Sequence, residues 1–206
     1  VKIKFLQYGQ KDSNLKIRID SAKNSSSDNI LFIDPEEIFE DNILTKLTKR
    51  AIKEKTEIIQ YDSFHDYIEL NKKITGLQVF DTMYFEYDNI SQSQFHLSGM
   101  FINKTFFLDA VKGINDYYFE NNNAPFEESM ILLKLFRKAN SFIKIKRKSR
   151  KKRCHNIECP YNLIKKGKYT KKQIKDILIY LKFLFEYTGN NVQEKRMSAK
   201  YFIDNR

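Results

Sequence analysis

Two arrangements of hydrophobic positions alternate along this chain, and together they predict a sheet covered by helices. The apolar run at residues 30–33 predicts a buried strand, residues 56–61 predict a second strand, and the alternating residues 1–8 predict another. Apolar positions at helical spacing predict helices over residues 15–23, 41–52 and 126–136. Strands that alternate with helices are typical of the α/β class, which is therefore the predicted fold class.

The segment 156–206 is predicted to be a helical extension of the domain formed by residues 1–155. Lysines occupy one face of the predicted helix between Lys171 and Tyr187. The other face is an apolar stripe of Ile174, Ile177, Leu178, Leu181, Leu184 and Phe185. Three roles are open for this helix: packing on its own domain, pairing with another subunit in an oligomer, or lying on an anionic bilayer.

A cluster of acids follows the first buried run directly. Asp34, Glu36 and Glu37 come at the point where Pro35 ends the strand. Open α/β sheets bind ligands at the carboxyl ends of their strands, and carboxylate oxygens suit hard divalent cations. The pattern therefore predicts a cation site here. The alternative is that these acids only solvate a turn and cap the following helix.

Three segments resemble the GT-A fold of the family-2 glycosyltransferases. Residues 30–44 are similar to that family's apolar strand, Asp-x-Asp-Asp motif and short helix, although this chain has Asp-Pro-Glu-Glu. Residues 97–107 resemble its acceptor-side strand and helix start, and residues 126–136 resemble a helix that opens with a Glu-Asp pair. The family's N-terminal nucleotide-binding strand has no counterpart, so we expect a partial GT-A mixed sheet flanked by helices.

The resemblance implies an inverting transfer of a sugar from a nucleotide-sugar donor to a glycan or lipid-linked acceptor, as in the synthesis of cell-surface polysaccharides. It implies that Asp34 and Glu37 bind the donor and that Glu36 holds Mn²⁺ or Mg²⁺. It also implies that Glu128 is the catalytic base for the acceptor hydroxyl, with Glu127 beside it. The alternative for both glutamates is a structural role in the first turn of the helix, where the helix dipole favours acids.

Basic residues dominate the stretch 144–153, in which eight of ten residues are Lys or Arg. The whole chain of 206 residues has a formal net charge of +11, which attracts polyanions at low salt. By the resemblance, Arg153 and His155 would contact the donor diphosphate; a solvated loop is the alternative. Because aromatic residues are not interleaved with the basic ones, an anionic membrane ranks above nucleic acid as the partner.

The cysteines are interpreted as free thiols in a reducing compartment, with a disulfide between them as the alternative. The chain has two cysteines, Cys154 and Cys159, and no second pair at the spacing of a zinc site. No apolar stretch reaches transmembrane length. We therefore expect a cytoplasmic protein, peripheral at the inner face of the membrane if its basic residues bind lipid. Two further functions stay open: a catalytically degenerate scaffold for an active transferase, and a basic module that binds polyanions.

Overall fold

A computed structural model describes residues 13–33, 41–61, 73–75, 97–114, 118 and 127–145, and seven helical positions between residues 171 and 186. In these ranges the helices are α1 (Asn14–Asn24), α2 (Ile43–Glu54), α3 (Lys104–Val111) and α4 (Glu127–Lys138). The strands are β1 (Asn29–Leu31), β2 (Ile58–Gln60), β3 (Lys73–Thr75), β4 (Met100–Asn103) and β5 (Ser141–Lys144). The predicted α/β class is confirmed. The strand predicted over residues 1–8 lies outside the described residues.

The strands form a five-stranded mixed sheet in the order β1-β4-β2-β5-β3. Strand β4 is antiparallel to both β1 and β2, whereas β2 and β5 are parallel to each other. Strands β1, β2 and β5 therefore run in one direction and end at one edge of the sheet, which we term the carboxyl edge. The opposite edge, where these three strands begin, is the amino edge. Strand β3 is antiparallel to β5.

Helices cover both faces of the sheet. The larger cluster of buried residues joins α1, α3 and α4 to Ile58, Ile102 and Phe142. The smaller cluster joins α2 to Ile59 and Phe101. Neighbouring residues of a strand face opposite sides of the sheet, which explains why Ile58 and Ile59 belong to different clusters. Within the described residues the molecule thus has three layers, with α2 alone on the second face.

Two of the helices begin with a side-chain cap. The hydroxyl of Ser13 accepts a hydrogen bond from the backbone amide of Lys16 at the start of α1, with a distance of 3.2 Å. The side-chain oxygen of Asn103 accepts one from the amide of Phe106 at the start of α3, at 2.9 Å. Such caps satisfy amides that the first turn of a helix leaves without partners. They set the point at which each helix begins.

Glu57 ties the end of α4 to the start of β2. Its carboxylate accepts hydrogen bonds from the backbone amides of Asn140 and Ser141, at 2.6 and 3.1 Å. Its own amide donates to the hydroxyl of Ser141 at 3.0 Å. Because β2 and β5 both begin at the amino edge, these contacts fix the C-terminus of α4 at that edge.

Strand β1 is shorter and less buried than the apolar run over residues 30–33 predicts. Pairing stops at Leu31, and Ile33 is 54% exposed. The prediction of a strand buried over the whole run is therefore wrong. The physical reason is the position of β1 at the end of the described sheet order, where β4 is its neighbour on one side. Phe32 instead packs on the ring of Phe107, with the ring centroids 5.4 Å apart.

The described positions between residues 171 and 186 are helical, as predicted, and this C-terminal helix packs on its own domain. Ile179 and Phe183 are buried in the larger cluster. Leu178, which the predicted apolar stripe includes, is 60% exposed, so that part of the prediction is wrong. Apolar residues occur on every side of this helix in the sequence, and periodicity therefore could not select the buried face.

We expect Tyr118→Phe to loosen the C-terminal helix. The hydroxyl of Tyr118 donates a hydrogen bond to the Glu186 carboxylate at 2.5 Å, and its ring meets Phe183 edge-on with centroids 5.1 Å apart. Because the substitution removes the hydrogen bond and keeps the ring, the free energy of unfolding should fall by about 1 kcal/mol. Urea denaturation measures this change. The control is Leu178→Ala at an exposed position, which should cost less than about 0.5 kcal/mol; equal losses would contradict the prediction.

Candidate functional site

Strand β1, which precedes the acidic segment in the sequence, ends at the carboxyl edge. The strand ends there at Leu31, and the chain continues through Phe32 and Ile33 to residue 34. The predicted donor and metal residues Asp34, Glu36 and Glu37 lie outside the described residues, as do the predicted diphosphate contacts Arg153 and His155. Their roles stay predictions. The fold shows that the chain leaves β1 at the carboxyl edge, three residues before Asp34.

Helix α4, which contains Glu127 and Glu128, begins toward the same edge. Its C-terminus is held at the amino edge by Glu57. The helix packs on the sheet through the larger cluster, to which Met130 and Phe136 both belong. Its 12 residues give a length of about 18 Å, enough to cross a sheet of such short strands. A helix that connects to a strand of the same sheet usually runs antiparallel to that strand, so we expect the backbone at residues 127–128 to lie toward the carboxyl edge.

Two buried polar residues that the sequence analysis did not single out lie at the ends of β2 and β5. Gln60 is 4% exposed and Lys144 is 2% exposed, and the two are register partners on adjacent parallel strands. They share the sheet face of Ile58 and Phe142, which is the face that α4 covers. Buried polar groups at the carboxyl ends of parallel strands are typical of ligand sites. The signal in the sequence is a polar residue that follows two apolar residues at the end of a strand.

Shifted pKa values occur on α3 and α4. A hydrogen bond from Lys138 lowers the pKa of the Asp109 carboxyl, and the charge of Lys138 acts in the same direction. Burial lowers the pKa of the Lys134 amine, with smaller contributions from the nearby charges of Arg137 and Lys138. Arg137 and Lys138 belong to the last turn of α4, where the helix dipole favours cations. Their role is to stabilise the end of the helix.

The resemblance assigns the metal ligands to the acidic segment 34–37. Within the part of the chain that the structure describes, no three His, Cys, Asp or Glu side chains lie close enough to hold a metal ion. The acidic segment supplies only carboxylate oxygens, which are the donors that Mg²⁺ and Mn²⁺ prefer. The donor chemistry therefore fits the implied cation.

Comparison of the chain with protein-family models and with curated protein sequences gave no match. Function must therefore be inferred from the arrangement at the carboxyl edge and from the resemblance of the three segments. None of the described helices combines the length and the apolar character needed to cross a membrane.

Proposed function

We propose that the protein is an inverting glycosyltransferase that moves a sugar from a nucleotide-sugar donor to a glycan or lipid-linked acceptor. The observation that supports this most is that β1, which precedes the acidic segment 34–37 in the sequence, ends at the edge of the sheet toward which α4 begins with Glu127. A displacement reaction needs such convergence, because donor and base must lie on either side of one carbon atom.

The order of the elements supports the further proposal that the sheet belongs to a GT-A-type domain. The strand that precedes the acidic segment is β1, and it is followed by helix α2 and strand β2. The acceptor-side strand and its helix are β4 and α3, and the helix that contains the proposed base is α4, followed by β5. The short strand β3 is inserted between β2 and β4. The resemblance implies this order as far as α4 and does not include β5; the mixed pairing agrees with the mixed sheet that it predicts.

In the proposed reaction the carboxylate of Glu128 takes the proton from the acceptor hydroxyl as its oxygen attacks the anomeric carbon. The bond from that carbon to the diphosphate breaks on the opposite side, and the configuration of the carbon inverts. Asp34 and Glu37 would hold the donor, and Glu36 would hold the divalent cation. When bound, this cation supplies positive charge that stabilises the leaving diphosphate.

Positive charge for the diphosphate has two proposed sources in the protein itself. Arg153 and His155 follow β5 along the chain, and β5 ends at the carboxyl edge. Lys144, the last residue of β5, is buried at the same edge and is the second proposed source. A cation that is buried attracts an anion more strongly than one in water, because the surrounding dielectric is lower.

Thermal unfolding of the full chain tests whether a donor site exists. We expect UDP or GDP to raise Tm in the presence of Mn²⁺, because a ligand at 100 times its Kd stabilises the folded state by about 2.7 kcal/mol. The diphosphate alone should have a much smaller effect. The variant Glu36→Gln should lose the response, whereas Asp41→Asn, at an exposed acid just before α2, should keep it. A response that does not depend on Mn²⁺ or on Glu36 would count against the proposed site.

A further inference from the structure

We infer that Arg18 of α1 is a further residue of the candidate site and that it binds the diphosphate of the nucleotide-sugar donor. The inference rests on the proposed function and adds a contact that the resemblance does not assign. Arg18 is partly buried, and none of the predicted site residues belongs to its helix. The inference depends on where the fold places this cation.

The position of Arg18 is set by an aromatic ring. Its guanidinium carbon lies over the ring of Phe32, 6.0 Å from the centroid. That ring packs in turn on Phe107, which is fully buried in the larger cluster. A guanidinium group over an aromatic face is attracted by the quadrupole of the ring. The contact therefore restricts a long side chain to one place on the surface of the core.

The contact with Phe32 places Arg18 at the carboxyl edge. Phe32 is the first residue after β1, and β1 ends at that edge. In the sequence it precedes Asp34, the first proposed donor-binding residue, by two positions. The other end of α1 is held at the amino edge, where Lys104 donates a hydrogen bond from its ammonium group to the carbonyl of Ser25 at 3.0 Å. A cation of α1 thus lies beside the point at which the chain continues toward the acidic segment.

Arg18 shares one face of the sheet with the other groups proposed for the site. Phe32 packs against the larger cluster, which joins α1, α3 and α4 to the sheet. Gln60 and Lys144 lie on the same face at the carboxyl edge. Helix α4, which contains the proposed base, packs on this face and contacts α1 directly. The cation of α1, the buried lysine of β5 and the base helix are therefore grouped on a single side of the sheet.

The charge of the proposed donor complex calls for cations on more than one strand. Asp34, Glu36 and Glu37 contribute three carboxylates, and the two phosphates of a nucleotide sugar add more negative charge. One divalent cation neutralises only part of this charge, and the remaining anions repel each other. Lys144 on β5 lies three strand spacings from β1, or about 14 Å. Arg18 supplies positive charge on the β1 side, where the acidic segment begins.

The chemistry of the guanidinium group favours the phosphates as its partner. Its N–H donors lie in one plane and can pair with two oxygens of a phosphate at once. The Phe32 ring attracts the charge through its face, so the ring contact and the phosphate contact can be made together. The nucleobase and the sugar of the donor are uncharged. The diphosphate is therefore the part of the donor with which a cation gains most.

Binding of the Mn²⁺ complexes of UDP, GDP and inorganic pyrophosphate to the full chain tests the inference. Arg18→Gln should raise the Kd of pyrophosphate and of the nucleotide that binds about 10- to 100-fold, measured by calorimetric titration. Arg18→Lys keeps the charge without the planar fork and should recover part of the affinity. The matched control Lys16→Gln removes a charge from an exposed position of α1, about 160° round the helix, and should change Kd less than about twofold.

The outcomes separate the role of Arg18 from the proposed function. Equal losses in Arg18→Gln and Lys16→Gln would reveal a net-charge effect and overturn the inference. A loss for the nucleotide without a loss for pyrophosphate would place Arg18 at the nucleoside and overturn the diphosphate contact. Unchanged binding in Arg18→Gln would overturn the role of Arg18 and leave the donor site in place. A parent chain that binds none of the complexes would overturn the donor site of the proposed function, and the role of Arg18 with it.

A double-mutant cycle tests whether the ring positions Arg18. Phe32→Leu keeps an apolar side chain on the larger cluster and removes the ring, and it should raise the Kd of pyrophosphate about two- to fivefold. Added to Arg18→Gln, it should cause no further loss, because the ring acts through the guanidinium group. Additive losses would show that Phe32 acts independently of Arg18 and would overturn its positioning role. Urea denaturation of each variant checks that the fold is intact.

Discussion

The variant Glu128→Gln is expected to transfer sugar about 10²- to 10⁴-fold more slowly than the parent chain, with its fold intact. The amide has nearly the shape of the carboxylate but cannot take up the proton of the acceptor hydroxyl at neutral pH. The backbone at this position belongs to the first turn of α4, at the end of the helix that points to the carboxyl edge. The measurement is kcat/KM for release of the nucleoside diphosphate from a panel of nucleotide-sugar donors.

The neighbouring acid provides a matched control for this prediction. Glu127→Gln removes the same charge from the same turn of α4 and so changes its interaction with the helix dipole by a similar amount. It should leave the rate almost unchanged. The Mn²⁺-dependent rise in Tm with UDP or GDP should survive in Glu128→Gln, because the proposed donor-binding residues are others. Equal losses of rate in the two variants would falsify the assignment of the base.

Much of the secondary structure could be predicted from periodicity, because the elements with a single buried side carry a clear pattern. In α2 the buried Ile43, Leu47 and Ala51 are spaced four residues apart, and the helix lies where the sequence predicts it. The same pattern fails in the C-terminal helix, where apolar residues occur all round and Leu178 turns out to be exposed. Periodicity predicts a helix there but cannot choose its buried side.

The order of the strands could not be predicted in the same way. Ile102 is paired with both Ile30 and Ile58, which are distant from it and from each other in the sequence. Such pairing is decided by the packing of the whole sheet, and short apolar strands can satisfy many alternative neighbours. The common edge of β1, β2 and β5 therefore emerged only from the fold.

The acids of the candidate site could be predicted from the sequence, whereas its buried polar residues could not. Acids stand out when they follow an apolar run, as the segment 34–37 does. Gln60 is the single polar residue of β2, and Lys144 follows two apolar residues at the end of β5; a polar residue in such a place is as easily explained by an exposed strand end. Their significance depends on being adjacent, buried and at one edge, which are properties of the sheet.

The largest loss of stability is expected from Phe142→Ala. The ring is fully buried in β5 between β2 and β3, where Phe142 is in register with Ile58 and Ile74. Its removal leaves a cavity beneath α4, because the larger cluster packs that helix on this face of the sheet. The free energy of unfolding should fall by about 3 to 5 kcal/mol. In urea denaturation the midpoint should decrease while the slope m stays the same.

Two controls separate the effect of the cavity from other consequences of Phe142→Ala. Leu44→Ala removes a large side chain from an exposed position and should cost less than about 0.5 kcal/mol. Phe32→Ala removes a ring that is only partly buried, so its cost should lie between the two. A loss as small as that of Leu44→Ala would contradict the central position of β5. Since α4 packs on this cluster and contains Glu128, a cavity there should also lower transferase activity under conditions where Phe142→Ala is still folded.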